Sequence, residues 1–155
     1  MLGAHVKVQL NIYALNIGAP KYIRKILEDF KKNIGSNTII VGDFNTPLST
    51  MDRASKQNIN KDIVAMNDTL NQMDLTDTYR TFHPKEAKYT FFSNAHGTFA
   101  KLDHIIEHKI NLNKFKKIEI TPSIFLDHTG LKLEANLKEK AQKHSGSWRM
   151  TLKNE

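Results

Sequence analysis

The feature that most constrains this chain is the run Thr38-Ile39-Ile40-Val41, which leads straight into Gly42-Asp43-Phe44-Asn45. A short apolar run rich in β-branched residues reads as a buried strand, and its C-terminal end delivers a carboxylate and an amide together. The residues before it set the architecture. Val6, Val8, Leu10 and Ile12 alternate with Lys7, Gln9 and Asn11, the period of a strand with one buried face. Between these strands, Tyr22, Ile23, Ile26, Leu27, Phe30 and Ile34 fall at helical spacing behind Pro20 and before Gly35, which predicts a helix over 22–34.

A second helix is expected from Asn60 as N-cap, with Asp62 at its positive end, Ile59 and Val64 as a hydrophobic staple, and Ile63, Met66, Leu70 and Met73 as its buried stripe. Short strands are expected at 76–79, 89–93, 101–106, 116–121 and 131–137. The fold class is therefore α/β (α+β), leaning towards many strands. Residues 1–137 read as one folded domain, and the polar, basic stretch 138–155 as a tail, linker or disordered end.

At 155 residues with 39% hydrophobic content, the chain suits one domain with an ordinary core. It has no Cys, which excludes disulfides, thiolate metal sites and a Cys nucleophile. No window approaches a membrane span and Met1 to Gln9 lacks the form of a secretory signal, so a soluble protein that is not secreted is expected. Lys and Arg outnumber Asp and Glu by 23 to 16, a net charge of +7 that favours polyanionic partners, nucleic acid first among them. Part of that excess sits after Leu137.

Four polar clusters fall at strand ends or just beyond them: Tyr13 with Asn16, Asp43 with Asn45, Asp103 with His104, and Asp127 with His128. Phosphodiester cleavage needs a carboxylate for a divalent cation, a group to orient or deprotonate water, and donors for the charge that develops on phosphorus oxygens. The clusters supply each type. Each also has a purely structural reading: an Asx turn for Asp43 and Asn45, a surface turn for Asp127-His128, a solvated strand face for Asp103 and His104, and half-buried packing for Tyr13.

Taken in order, Asn11-Ile12-Tyr13, Gly42-Asp43-Phe44-Asn45-Thr46-Pro47-Leu48-Ser49, Tyr89-Thr90-Phe91-Phe92-Ser93, Lys101-Leu102-Asp103-His104-Ile105 and Asp127-His128 resemble the endonuclease/exonuclease/phosphatase superfamily. Within it, the pattern is most similar to the endonuclease domain of mammalian long interspersed element retrotransposons. The resemblance runs from about Leu10 to Leu137, with a weaker echo at Ser147-Trp148. It implies the C-terminal part of a four-layered αββα sandwich of the deoxyribonuclease I type, incomplete at the N-terminus, and a metal-dependent phosphodiesterase acting on DNA inside the cell, in nucleus or cytoplasm.

The resemblance also implies roles. Asp43 would orient or deprotonate the attacking water, and Asn45 would bond a scissile phosphate oxygen. Tyr13 and Asn16 would donate to the same phosphate, and Thr90 would touch the DNA backbone. Asp127 would help to hold Mg²⁺. His128, oriented by Asp103, would stabilise the transition state or move a proton. No membrane and no small-molecule cofactor are implied, and oligomeric state is left open.

The family's principal metal-binding Glu and an Asn near its first strand have no counterpart here, since Met1 to Gln9 contains no carboxylate. The family's Ser before Asp-His is Leu126, and a Pro preceding Asn16 is Leu15. A weak or inactive enzyme is therefore expected. The alternatives are a non-catalytic nucleic-acid-binding or interaction remnant and, against the retrotransposon likeness, a superfamily phosphatase acting on a soluble or lipid phosphate.

Overall fold

The computed structural model describes residues 8–54, 59–93, 97–121, 130–138 and 145–151. It begins with strand β1 (Val8–Tyr13), helix α1 (Ala19–Asp29) and strand β2 (Thr38–Asp43), the two strands parallel and in register from Val8 beside Thr38 to Tyr13 beside Asp43. Pro20 lies in the first turn of α1, where its missing N–H is no loss. The helix stops at Asp29 rather than at Ile34. The chain beyond continues in turns, with the N–H groups of Asn33 and Ile34 both donating to the Phe30 carbonyl, and these turns still bring Ile34 onto the core.

Helix α2 (Lys61–Gln72) starts at Asn60, whose side chain accepts from the Ile63 N–H at 2.9 Å and satisfies a donor that the first turn leaves open. Ile63, Met66 and Leu70 form its buried stripe. The staple differs from expectation: Ile59 packs against the core, but Val64 is 48% exposed. One residue beyond Ile63 turns the side chain by about 100°, off the buried stripe.

Strand β3 (Leu75–Asp77) passes directly into helix α3 (Thr78–Phe82), so the strand expected over 76–79 ends early. The Asp77 carboxylate accepts from the Tyr79 N–H at 3.1 Å and starts the helical turn there. Strands β4 (Phe91–Ser93) and β5 (Thr98–Ala100) pair as a two-stranded unit, followed by β6 (Asp103–His108), β7 (Phe115–Thr121) and β8 (Gly130–Lys138). Within the stretch read as a tail, Ser145–Thr151 forms β9 and pairs antiparallel with β8.

One sheet has the order β1-β2-β6-β3, and another has the order β7-β8-β9. Ile12, Ile40 and Ile106 on one face of the first sheet pack against Ile23 and Leu27 of α1 and Ile63, Met66 and Leu70 of α2. On the opposite face, Ile39, Val41 and Ile105 pack against Tyr79 of α3 and Phe115, Ile118 and Leu131 of the second sheet. Each fully buried aliphatic side chain contributes roughly 1.5–3 kcal/mol. Because β2 is covered on both faces, residues 38–41 show no polar alternation. Helices, sheet and sheet thus stack as layers of the expected sandwich, and the C-terminal end of β2 meets the start of β6 at one rim.

Candidate active site at the rim of the first sheet

Pairing of three strands brings Tyr13, Asp43 and Asp103 abreast. Tyr13 stands beside Asp43 across β1 and β2, and Asp43 stands opposite Asp103 across β2 and β6. Neighbouring strands lie about 4.8 Å apart, so the row spans about 10 Å, and paired residues share a face. Asp43 alternates with Val41 and Asp103 with Ile105, which places both carboxylates on the face turned towards the second sheet. Tyr13, at the open end of the row, is 67% exposed, whereas Asp103 is buried.

Gly42 permits this closeness. A Cβ there would lie 1.9 Å from the Ile12 carbonyl oxygen, and its φ of 144° is one that residues with side chains rarely adopt. The next residues turn sharply: Asn45 has φ 49°, and its N–H donates to Asp43 Oδ1 at 2.9 Å, an Asx turn. Its side-chain amide donates to the Ala14 carbonyl at 3.2 Å, while the Ala14 N–H donates to the Asp43 carbonyl at 2.9 Å. The structural reading of Asp43 and Asn45 thus holds, and the turn it describes stands on the same rim as the row. Asn16 lies in the exposed loop after β1.

Thr90 is buried, and its hydroxyl accepts from the N–H groups of Leu102 at 3.0 Å and Asp103 at 3.4 Å, which braces the start of β6. Asp127, His128 and Leu126 lie outside the described residues.

Asp103 and His104, adjacent in sequence, part company in the sheet. His104 pairs with Gly42 in register and faces the helix side, fully buried against the Phe44 ring. Its Nε2 lies 2.9 Å from the Thr46 carbonyl, which can only accept, so Nε2 carries a hydrogen. Its Nδ1 lies 2.9 Å from Lys101 Nζ and 3.2 Å from Asp77 Oδ2, and Lys101 Nζ donates to the same Asp77 oxygen at 3.2 Å. Burial alone would raise the Asp77 carboxyl pKa, but the Lys101 charge beside it, aided by His104, holds it well below the usual carboxylate range.

A second, partly buried pair adjoins the first. Arg80 Nη2 donates to Asp52 Oδ1 at 2.6 Å, and Asp52 Oδ2 accepts from the N–H groups of Leu48 and Ser49 at 2.9 and 3.1 Å. The Lys101 N–H donates to the Asp52 carbonyl at 2.7 Å, joining the two pairs through the backbone. The sequence reading does not single out Asp52, Asp77 or Arg80, and Lys101 enters it only as the first residue of the motif that leads into Asp103. The available signals are Asp77 ahead of a helical turn and the Ser-x-x-Asp spacing of Ser49 and Asp52.

Asp52, Asp77 and His104 each offer a ligand atom, all within 4.8 Å of one another, a spacing one divalent cation could bridge. The protein's own cations already meet these groups: Arg80 sits on Asp52, and Lys101 on Asp77 and His104. Mg²⁺ requires near-octahedral oxygens and retained waters, which a buried ammonium and a ring nitrogen do not supply. The Asp43–Asp103 row has the carboxylate chemistry that Mg²⁺ prefers.

No protein-family model matches the chain. Solved structures do. An AP endonuclease from Archaeoglobus fulgidus superposes with TM-score 0.66 at 16% identity, over 79% of this chain and 59% of its own. The 3′ phosphatase NExo from Neisseria, solved with a product DNA hairpin, gives 0.65 at 18% identity, over 83% and 61%. The chain therefore spans about 60% of the length of these structures. Their shared architecture shows the fold class of this chain, the one that these AP endonuclease and NExo structures have. Within that class the neighbours include the endonuclease domain of TRAS1, a telomere-specific non-LTR retrotransposon, with TM-score 0.61 at 15% identity over 83% of this chain and 56% of its own.

Proposed function

We propose that this chain derives from a retrotransposon endonuclease and is built for metal-dependent hydrolysis of DNA phosphodiesters, with low activity as the 155-residue chain. The observation that carries this reading is the row of Tyr13, Asp43 and Asp103 on one face at the rim of the first sheet, with Asn45 turned beside it. In it, Asp43 orients and deprotonates the attacking water. Asn45 donates one amide hydrogen to Ala14 and has a second for a phosphate oxygen. Tyr13 and Asn16 donate to the same phosphate. Thr90 serves the DNA contact indirectly, through the start of β6. Asp103 would orient His128, and Asp127 would help to hold Mg²⁺, which would supply positive charge to offset that on the phosphate.

Activity is low in this reading because the principal metal-binding Glu that the family resemblance calls for is not among the carboxylates assigned here, and Mg²⁺ sheds its water reluctantly. The partner is DNA within the cell, nuclear or cytoplasmic. No described helix is long and apolar enough to cross a membrane.

The deciding experiment incubates the full chain with supercoiled plasmid and Mg²⁺ beside Asp43→Ala and His128→Ala. Slow nicking that is lost in both variants supports the reading, and equal nicking in all three overturns it. The net charge of +7 favours a second reading, a non-catalytic nucleic-acid-binding remnant. That reading requires DNA binding that weakens with salt, together with no nicking dependent on Asp43.

A further inference from the structure

We infer that His104 is a positioning residue for this site: from the helix side of the sheet, it clamps the turn bearing Asp43 and Asn45 onto the strand bearing Asp103. The inference rests on the phosphodiesterase reading for its catalytic consequence. Its geometry stands independently.

Asp43 and Asp103 are paired residues on adjacent strands, but the chain leaves β2 through a tight turn at Asn45 that the sheet ladder does not hold. Two bonds cross from that turn to the segment opening β6. The Phe44 N–H donates to the Leu102 carbonyl at 2.9 Å, and the Thr46 carbonyl accepts from His104 Nε2 at 2.9 Å. The His104 side chain reaches across, and its ring packs on Phe44, between the two tied residues. Its other nitrogen rests on Lys101 and Asp77, which fix the ring's rotation.

Charge keeps this support in place. Lys101 and Arg80 offset the charges of the buried Asp77 and Asp52. Asp52 also accepts from the N–H groups of Leu48 and Ser49, which holds the far end of the same loop. The loop after Asn45 is thus tied near both ends, by His104 and by Asp52. A polar core of this kind, behind paired carboxylates, fits a need to hold them within a fraction of an ångström more closely than apolar packing would.

The test uses the full chain with His104→Phe, which keeps a ring against Phe44 but has no donor, and His104→Gln, which places an amide N–H near the Nε2 position. Both are first required to melt cooperatively. In wild type that nicks in an Asp43-dependent manner, His104→Phe lowers kcat roughly 100-fold with KM for DNA within about twofold, and His104→Gln restores most of the loss. Independently of activity, ¹⁵N–¹H spectra of His104→Phe show Phe44, Asn45 and Thr46 amides shifted or broadened, with those of α1 unmoved. Unchanged amides at 44–46 overturn the clamp, as does full kcat in His104→Phe. If wild type and Asp43→Ala nick equally, the phosphodiesterase reading fails, and the amide spectra alone decide the clamp. If His104→Phe does not fold, Lys101→Met, which removes the support of the ring's other nitrogen, takes its place under the same two measurements, with His104→Gln expected to stay near wild type.

Discussion

Asp43 and Asp103 stand opposite each other in register across β2 and β6, yet they lie sixty positions apart in the chain and are brought together only by an antiparallel pairing. Asp103 is buried and Asp43 partly so, and both turn towards the second sheet. If Asp43 activates water there, Asp43→Ala and Asp43→Asn lower Mg²⁺-dependent nicking by roughly 100-fold or more, since general-base groups contribute about 10²–10⁴-fold. Asp103→Ala lowers it as well. Plasmid nicking at matched protein concentration measures both, and Asp43→Asn at wild-type rate counts against the assignment.

Gly42→Ala destabilises the chain. The new Cβ would sit 1.9 Å from the Ile12 carbonyl oxygen on backbone of φ 144°. Backbone strain of this kind costs on the order of 1–3 kcal/mol, with further loss if β1 is pushed from β2. A lower urea midpoint with an unchanged m value is the expected result, and a midpoint equal to wild type would refute it.

Lys101→Met leaves the Asp77 carboxylate buried without its nearest cation, and removing one partner of a buried pair costs about 3–5 kcal/mol. The double variant Lys101→Met with Asp77→Asn recovers part of that loss, because the orphaned charge is gone. Chemical unfolding of the two singles and the double closes the cycle. A double variant no more stable than Lys101→Met would show that the charge is not the cause.

The same carboxylate predicts a pH dependence. Asp77 has a folded-state pKa below its unfolded value of about 3.9, so the unfolded chain binds the proton more readily. Its contribution is fully present above about pH 4 and is lost as pH falls through the lower folded-state value. Asp77→Asn should therefore flatten the acid side of a stability profile measured between about pH 2 and 5. A parallel profile in both proteins is the contrary result.

Asn60→Ala removes the side-chain acceptor of the Ile63 N–H at the start of α2 and costs about 1 kcal/mol. Asn60→Asp retains the acceptor and stays near wild type. Thermal melts of the two variants distinguish loss of the cap from a general sensitivity at that position.

Much of this was legible in the sequence because it depends on neighbours in the chain. The β-branched run before Gly42, the spacing of Ile23, Ile26 and Leu27, and Asn60 ahead of α2 each act over a few residues, and each appears where expected. The limits of α1 and of the strand near Thr76 were less legible. Competing turns after Phe30 and the Asp77 cap decide them. Ser145–Thr151 looks polar because half-polar strands and tails share a composition; pairing with β8 makes it a strand.

The sequence by itself determined the strand, helix, strand opening, the Asx turn at Asp43 and the order of the polar motifs, all set by local sterics and short-range periodicity. Only the tertiary structure decided that Asp103 joins Asp43 while His104 turns away to the other face. It also decided that the buried Asp52 and Asp77 meet Arg80 and Lys101 in two adjoining ion pairs. The physical reason is that a charge carries no local mark of burial. Whether it can leave water depends on a partner more than twenty residues away, supplied here by α3 and the start of β6.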